Sequence, residues 1–361
     1  MAKSKGMLLF LLTASFTLNA QEYTRSLADI RDDIKAHDQA IHVFHDWMRD
    51  PYIMIGPDGY YYLTCTQLQE GVDGREVIPH GMALYRSPDL ADWEFLGYRY
   101  TMEDSGNFDD YEQGLKERIE RLGQTDHLKL WAPEIYFINN RWVITHTSNV
   151  RRGNLALTRG DRIEGPFDSW GAKFGHNHDP AIFQDEDGSI WLVSRCTQIQ
   201  EIQPDLSGFK SDPIRIDPAN RRMGHEGAYI IKVHGKYVLF GTAWSTDKPR
   251  QGTYNLYFCV ADHLEGPYGP RQFAGRYLGH GTPFQDKEGR WWCTAFFNAN
   301  NPPIPKEDAA QFDAAADAFT VNRQGLTLVP LEIETTSGGK IQIRAKDPAY
   351  ASPGPEEVQQ F

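Results

Sequence analysis

Three acidic residues stand at the heads of similar stretches: Asp50 in DPYIMIGPDGYYYLTCT, Asp179 in DPAIFQDEDGSIWLVSR and Glu226 in EGAYIIKVHGKYVLFGT. Two further stretches share the layout, APEIYFINNRWVITHTS from Ala132 and HGTPFQDKEGRWWCTAF from His280. Carboxyl groups brought together repel when ionised, and burial also raises a carboxyl pKa. Such a cluster separates neighbouring pKa values and yields one acid and one base near neutral pH. Cleavage of a glycosidic bond needs that pair. Each residue alone also reads as a strand or turn cap, since Asp-Pro is a common turn dipeptide. Three acids at one register favour chemistry.

The elements that must position these residues are hairpins. Each stretch opens on a polar or small residue followed by Pro or Gly, enters a short apolar run, turns and returns. The turns are expected at Asp58-Gly59, Asn140-Arg141, Asp187-Gly188, His234-Gly235 and Glu288-Gly289, all at one offset. Asx-Gly between apolar runs is a strong hairpin signal, and the returning runs are rich in β-branched and aromatic residues. A third strand follows several hairpins, and EGPF at 164–167 and EGPY at 265–268 are near copies of one turn. Repeats of about fifty residues with three or four strands fit propeller blades. The expected fold is therefore all-β, a five-bladed β-propeller. In a propeller the inner strands line a central channel, so Asp50, Ala132, Asp179, Glu226 and His280 should form a ring at one mouth.

The remaining segments flank this body. Residues 1–20 read as a signal peptide, with Lys3 and Lys5 before the apolar run 7–16 and Ala20 at the cleavage site, so export to the periplasm or exterior is expected. Residues 21–45 read as a helical N-terminal arm, 46–346 as the propeller and 347–361 as a polar, fraying tail. A charged stretch at 107–124, with Leu115, Ile119 and Leu122 at helical spacing, predicts a helical insertion between blades one and two. It is either a solvated surface helix or a wall of the site. Four cysteines lie in apolar runs and read as buried free thiols. The net charge of −12 argues against nucleic acid and anionic lipid as partners. Nine Trp and seventeen Tyr offer flat faces for sugars, Trp47, Trp131 and Trp244 being the candidates near the ring. No P-loop, dinucleotide fingerprint or zinc-ligand spacing is present.

The ordered set RDPYI, WAPEIYF, HDPAIFQDEDG, HEGAYIIKVHGKYVLF and GHGTPFQDKEGRWW resembles glycoside hydrolase family 43, from Asp50 to about Phe297. The resemblance implies a five-bladed propeller with the general base at Asp50, an orienting and pKa-tuning carboxylate at Asp179 and the general acid at Glu226. It implies inversion at the sugar and no cofactor for the chemistry, with His280 near the channel centre and a calcium or other cation beside it. It also implies an α-L-arabinofuranoside or β-xyloside of plant or algal polysaccharide as substrate. WMRDPY at 47–52 is similar to the nucleophile motif of the fructan-cleaving propellers, but His178-Asp179-Pro180 and Glu226-Gly227 depart from their other motifs. GHEGAYI is similar to family 117, which cleaves anhydrogalactose from agar oligosaccharides and for which His225 would be the acid. His178 and His225 stand beside the acids as candidate substrate contacts. A non-catalytic glycan-binding propeller is the third reading; it would not need the ring acids.

Overall fold

The computed structural model describes residues 25–70, 76–103, 108–150, 155–158, 160–169, 174–175, 177–299 and 317–361. The expected signal peptide lies outside them. Five antiparallel sheets form the blades of a propeller. Blade one comprises Met48–Ile55, Tyr61–Gln67, Gly81–Ser87 and Glu94–Thr101, from the channel outward. Blade two comprises Leu130–Ile138, Arg141–Ser148, Leu155–Thr158 and Phe167–Ser169. Blade three comprises Ala181–Gln184, Ile190–Ser194, Gln198–Ile202 and Ile214–Arg215. Blade four comprises Glu226–Val233, Lys236–Trp244, Tyr254–Ala261 and Gln272–Gly275. Blade five comprises Pro283–Gln285, Trp291–Ala295 and Leu326–Thr335, and its outer strand is Ile41–Phe44 from the other end of the chain. The segment expected to be a helical N-terminal arm thus ends inside the sheet. Ile41 pairs with Leu328, and this closes the ring.

Strands buried on both faces explain the near-continuous apolar runs. One core cluster joins blades one and two around Tyr62, Leu84, Ile144 and Trp142, and reaches blade three through Ile182 and Leu192. Others lie between blades five and one, three and four, and four and five. All four cysteines are buried and free, as expected. No helix among the described residues is long and apolar enough to cross a membrane.

The hairpin turns fall into two kinds. In blades one, three and five a longer loop is closed by Gly56 N to Tyr60 O, Asp185 N to Ser189 O and Asp286 N to Arg290 O. Gly59, Gly188 and Gly289 take the positive φ these loops need. In blades two and four the loop has two residues. The turn expected at Asn140-Arg141 lies one residue earlier: Asn139 and Asn140 both have positive φ, and Ile138 pairs with Arg141. His234-Gly235 is the second such loop. A two-residue turn matching strand twist needs positive φ twice, which Asn, His and Gly tolerate best. The two EGP turns share a cis bond, Gly165-Pro166 and Gly266-Pro267.

Both expected helices form. Leu27–Ala36 is capped by Ser26, whose hydroxyl accepts from Asp29 N, and ends on His37 in the left-handed region. Its Ile30 and Ile34 seal the core between blades five and one. Phe108–Leu122 precedes blade two and inserts Tyr111 into the core there. Leu122, read from the sequence as part of the apolar stripe, is exposed; Tyr111 is the anchor. The tail does not fray. Glu356 accepts from Nε and Nη2 of Arg276 at 2.8–3.1 Å, Tyr257 donates to Glu357 at 2.5 Å, and Gln359 is buried against Arg271.

Candidate active site

Each blade presents one residue in the left-handed backbone region where its inner strand meets the channel. These are Asp50 (φ 53°), Ala132 (45°), Asp179 (43°), Gly227 (63°) and His280 (57°). Four are not glycine, and such strain concentrates where surrounding structure holds residues for function. The ring member of blade four is Gly227, not Glu226. Glu226 pairs with Thr242 as Arg49 pairs with Thr66 and Trp131 with Thr147, so it stands one position ahead. Its side chain still reaches the same centre. A Cβ on Gly227 would lie 2.8 Å from His280 Cδ2, so glycine lets the imidazole occupy the axis.

Side chains on or just after the second strands lock this ring. Thr66 donates to Asp50 Oδ2 at 3.1 Å and accepts from Ala132 N of the next blade at 2.8 Å. Thr147 accepts from Asp179 N at 2.8 Å and donates to its Oδ1 at 2.7 Å. Cys196 Sγ donates to Glu226 O at 2.8 Å, and Thr294 donates to Pro51 O at 2.5 Å across the closing seam. Each blade therefore fixes the catalytic-face backbone of its neighbour, except that Thr242 bonds Glu226 O within its own blade.

The buried His280 imidazole is the hub. Its Nδ1 lies 3.0 Å from Asp50 Oδ1 and 3.8 Å from Glu226 Oε1, and its Nε2 lies 3.7 Å from Asp179 Oδ2. Burial disfavours its charge, but Asp50, Asp179 and Glu226 outweigh burial and raise its pKa to about 10. Asp50 is buried, yet His280 and Arg49 hold its carboxyl below the usual range. Asp179 is pushed up by burial and by the Glu226 and Asp50 charges, against His178 and His280. Glu226 is pulled down despite burial by His280 and by Tyr254, whose hydroxyl donates to it at 2.7 Å.

The candidate sugar contacts separate. His178 sits between two acids, with Nδ1 3.4 Å from Asp179 Oδ2 and Nε2 3.9 Å from Glu226 Oε2. His225 is exposed and faces a neighbouring cavity. Trp47 and Trp131 are half-buried. Trp244, expected as a stacking surface for sugar, is buried and stacked on Tyr254 with centroids 4.5 Å apart. It supports the tyrosine that holds Glu226.

Glu134 was not singled out from the sequence. It stands two residues after ring position Ala132, where Tyr136 donates a hydrogen bond to it. Burial pushes its carboxyl up to about 8, against Tyr136 and His280. Tyr52, Tyr136 and Tyr229 pack beside it across three blades. Its signal was available: it is the acid of WAPE, two residues after the alanine that heads its repeat.

For a cation, His178, Asp179 and Glu226 offer ligand atoms within 4.8 Å of one another. A hard cation there would take carboxylate oxygens. His280 fits the expected cation less well, because both ring nitrogens face carboxylates and hold a proton, so it donates where a ligand must accept.

The model of the family described as "Glycosyl hydrolases family 43" matches residues 43–324. A xylan 1,3-beta-xylosidase of a Vibrio species is 23% identical over 73% of this chain and 50% of its own. A xylosidase/arabinosidase 43B of Humicola insolens is 23% identical over 61% of this chain and 39% of its own. The chain thus spans half or less of the length of these two relatives. Among solved structures, a family 43 protein of Bacillus licheniformis has a TM-score of 0.58 at 20% identity, covering 87% of this chain and 58% of its own. An endo-1,4-beta-xylanase of Bacteroides thetaiotaomicron has a TM-score of 0.55 at 19% identity, covering 83% of this chain and 94% of its own. With three acids converging at the centre of a five-bladed propeller and a family match that takes in most of its length, this chain belongs to the glycosyl hydrolases of family 43.

Proposed function

We propose that this protein is an exported, inverting glycoside hydrolase acting on pentose-containing plant or algal glycans, as a β-xylosidase or α-L-arabinofuranosidase. The observation that carries the reading is the approach of Asp50, Asp179 and Glu226 to one buried imidazolium. Asp50, held ionised by His280, takes a proton from water as that water attacks the anomeric carbon. Glu226 gives a proton to the departing glycosidic oxygen as the bond breaks. Burial and the nearby Glu226 charge raise the Asp179 carboxyl. In the free site the higher affinity lies on Asp179, and His178 between them offers the path to Glu226. Asp50 Oδ1 and Glu226 Oε1 lie 3.0 and 3.8 Å from the same His280 Nδ1; inverting carboxyl pairs stand about 6.5–9.5 Å apart and retaining pairs about 5–5.5 Å. The names of the relatives support pentosides.

Asp50→Asn and Glu226→Gln test the roles. Positioned acid–base groups contribute roughly 10²–10⁴-fold each. Both variants should fold, bind and lose most turnover on xylo- and arabino-oligosaccharides. Only Glu226→Gln should recover on aryl glycosides with good leaving groups, which need little protonation. Proton NMR of the first-formed sugar should show the opposite anomer to the substrate; the same anomer would mean retention. His178→Ala should cost about 10- to 100-fold in kcat, and His225→Ala little. A His225→Ala loss as large as that of Glu226→Gln would favour anhydrogalactosidase chemistry. Glycan binding with no cleavage would leave a binding module.

A further inference from the structure

Beside the acids, on the Glu226 side, lies a cavity of about 640 Å³ lined by Arg195, Thr197, Gln198, Arg215, Arg222 and His225, with Pro213 and Gly224. The backbone links its lining to the site. Gly224 and His225 lead directly into Glu226, and Arg195 N donates at 3.1 Å to the carbonyl of His178, the residue between Asp179 and Glu226. Three guanidinium groups and no carboxylate line it, in a chain of net charge −12. Arg215 pairs with Asp217, which lies outside the lining; among the described residues no carboxylate pairs with Arg222. Arg222 thus presents to the cavity a guanidinium charge that no carboxylate of the lining offsets. Guanidinium forks match carboxylate and sulfate oxygens, and Thr197 and Gln198 suit sugar hydroxyls.

We infer that this cavity is a subsite for an anionic sugar on the leaving-group side of the scissile bond, the anion being a uronate carboxylate or a sulfate ester. The inference rests on the glycosidase reading, since only the proton donor at Glu226 defines that side. The reaction then takes acidic glycans, and the released fragment carries the charge away.

Calorimetry on the full chain carrying Asp50→Asn tests this. The probes are xylotriose bearing glucuronic acid, the same compound with its carboxyl reduced to the alcohol, and xylotriose sulfate. The acid or the sulfate should bind at least about 10-fold tighter than the reduced probe, because hydrogen bonds to charged groups are the strong ones. A preference for the first identifies carboxylate, for the last sulfate. Arg222→Ala should erase most of that ratio, as should raising salt. Equal affinity for all three probes, no measurable binding of either anion, or a ratio unmoved by Arg222→Ala overturns the inference. Hydrolysis of aryl xylosides or arabinosides by the unaltered protein is read separately. Cleavage there with no anion preference removes the subsite and keeps the glycosidase. Anion binding without any cleavage removes the glycosidase, and with it the leaving-group assignment.

Discussion

Gly227 lies against His280 so closely that a single added Cβ would sit 2.8 Å from the imidazole Cδ2. Gly227→Ala should therefore do two things. Its φ of 63° costs a residue with a Cβ about 1–2 kcal/mol, and the methyl pushes His280 off the axis. Turnover should fall about 100-fold or more. Gly59→Ala is the control, since Gly59 has positive φ but open space around it. It should lose similar stability, by denaturant melts, and keep its activity. Equal activity in both variants would detach His280 from the mechanism.

His280 should also write itself into the pH dependence. Its pKa is raised from 6.5 to about 10, so its stabilising charge is fully present below pH 6.5 and is lost as pH rises through 10. Melting temperature should decline across that window, and His280→Gln should flatten the decline. In the same variant Asp50 loses the cation that holds its pKa down. The acidic limb of kcat/KM should move to higher pH by about one unit or more. A limb that stays in place would show that Asp50 does not depend on His280.

The tail gives a third test. Glu356 and Arg276 are both largely buried and doubly bonded, and Thr253 donates to the same carboxylate at 2.7 Å. Removing one member of such a pair strands the other, at a cost on the order of 3 kcal/mol. Glu356→Ala should lower the melting temperature by several degrees while kcat at 25 °C stays the same. An unchanged melt would mean that the tail docks without holding.

The fold was legible because five hairpins repeat the same punctuation, Pro or Gly at the head and a turn at a near-constant offset. That offset hid a one-residue difference. Asn139-Asn140 and His234-Gly235 are tighter loops than Asp58-Gly59, and a gapless comparison absorbs the missing residue. As a result Glu226 was placed on the ring when Gly227 holds that backbone position. The side chains that converge were readable from type and register. Their supports were not: Thr66, Thr147 and Cys196 act across blades, and no local pattern announces a contact between neighbours in a ring. Trp244 misled because an aromatic near a sugar site reads the same whether it faces sugar or Tyr254. Tyr111 hid in a charged helix, where one aromatic does not make a stripe.

Strand Ile41–Phe44 completes the blade that carries His280, and Asp50 follows only a few residues later in blade one. Ile41–Phe44 must therefore wait for Leu326–Thr335, nearly three hundred residues downstream, before the circle can shut. Loop-closure entropy of that length opposes early pairing, and contacts of such separation form slowly. Until they form, His280 and Asp50 belong to two separate stretches of one polypeptide. The acids then have no common centre. Closing the circle and assembling the cluster are one and the same event.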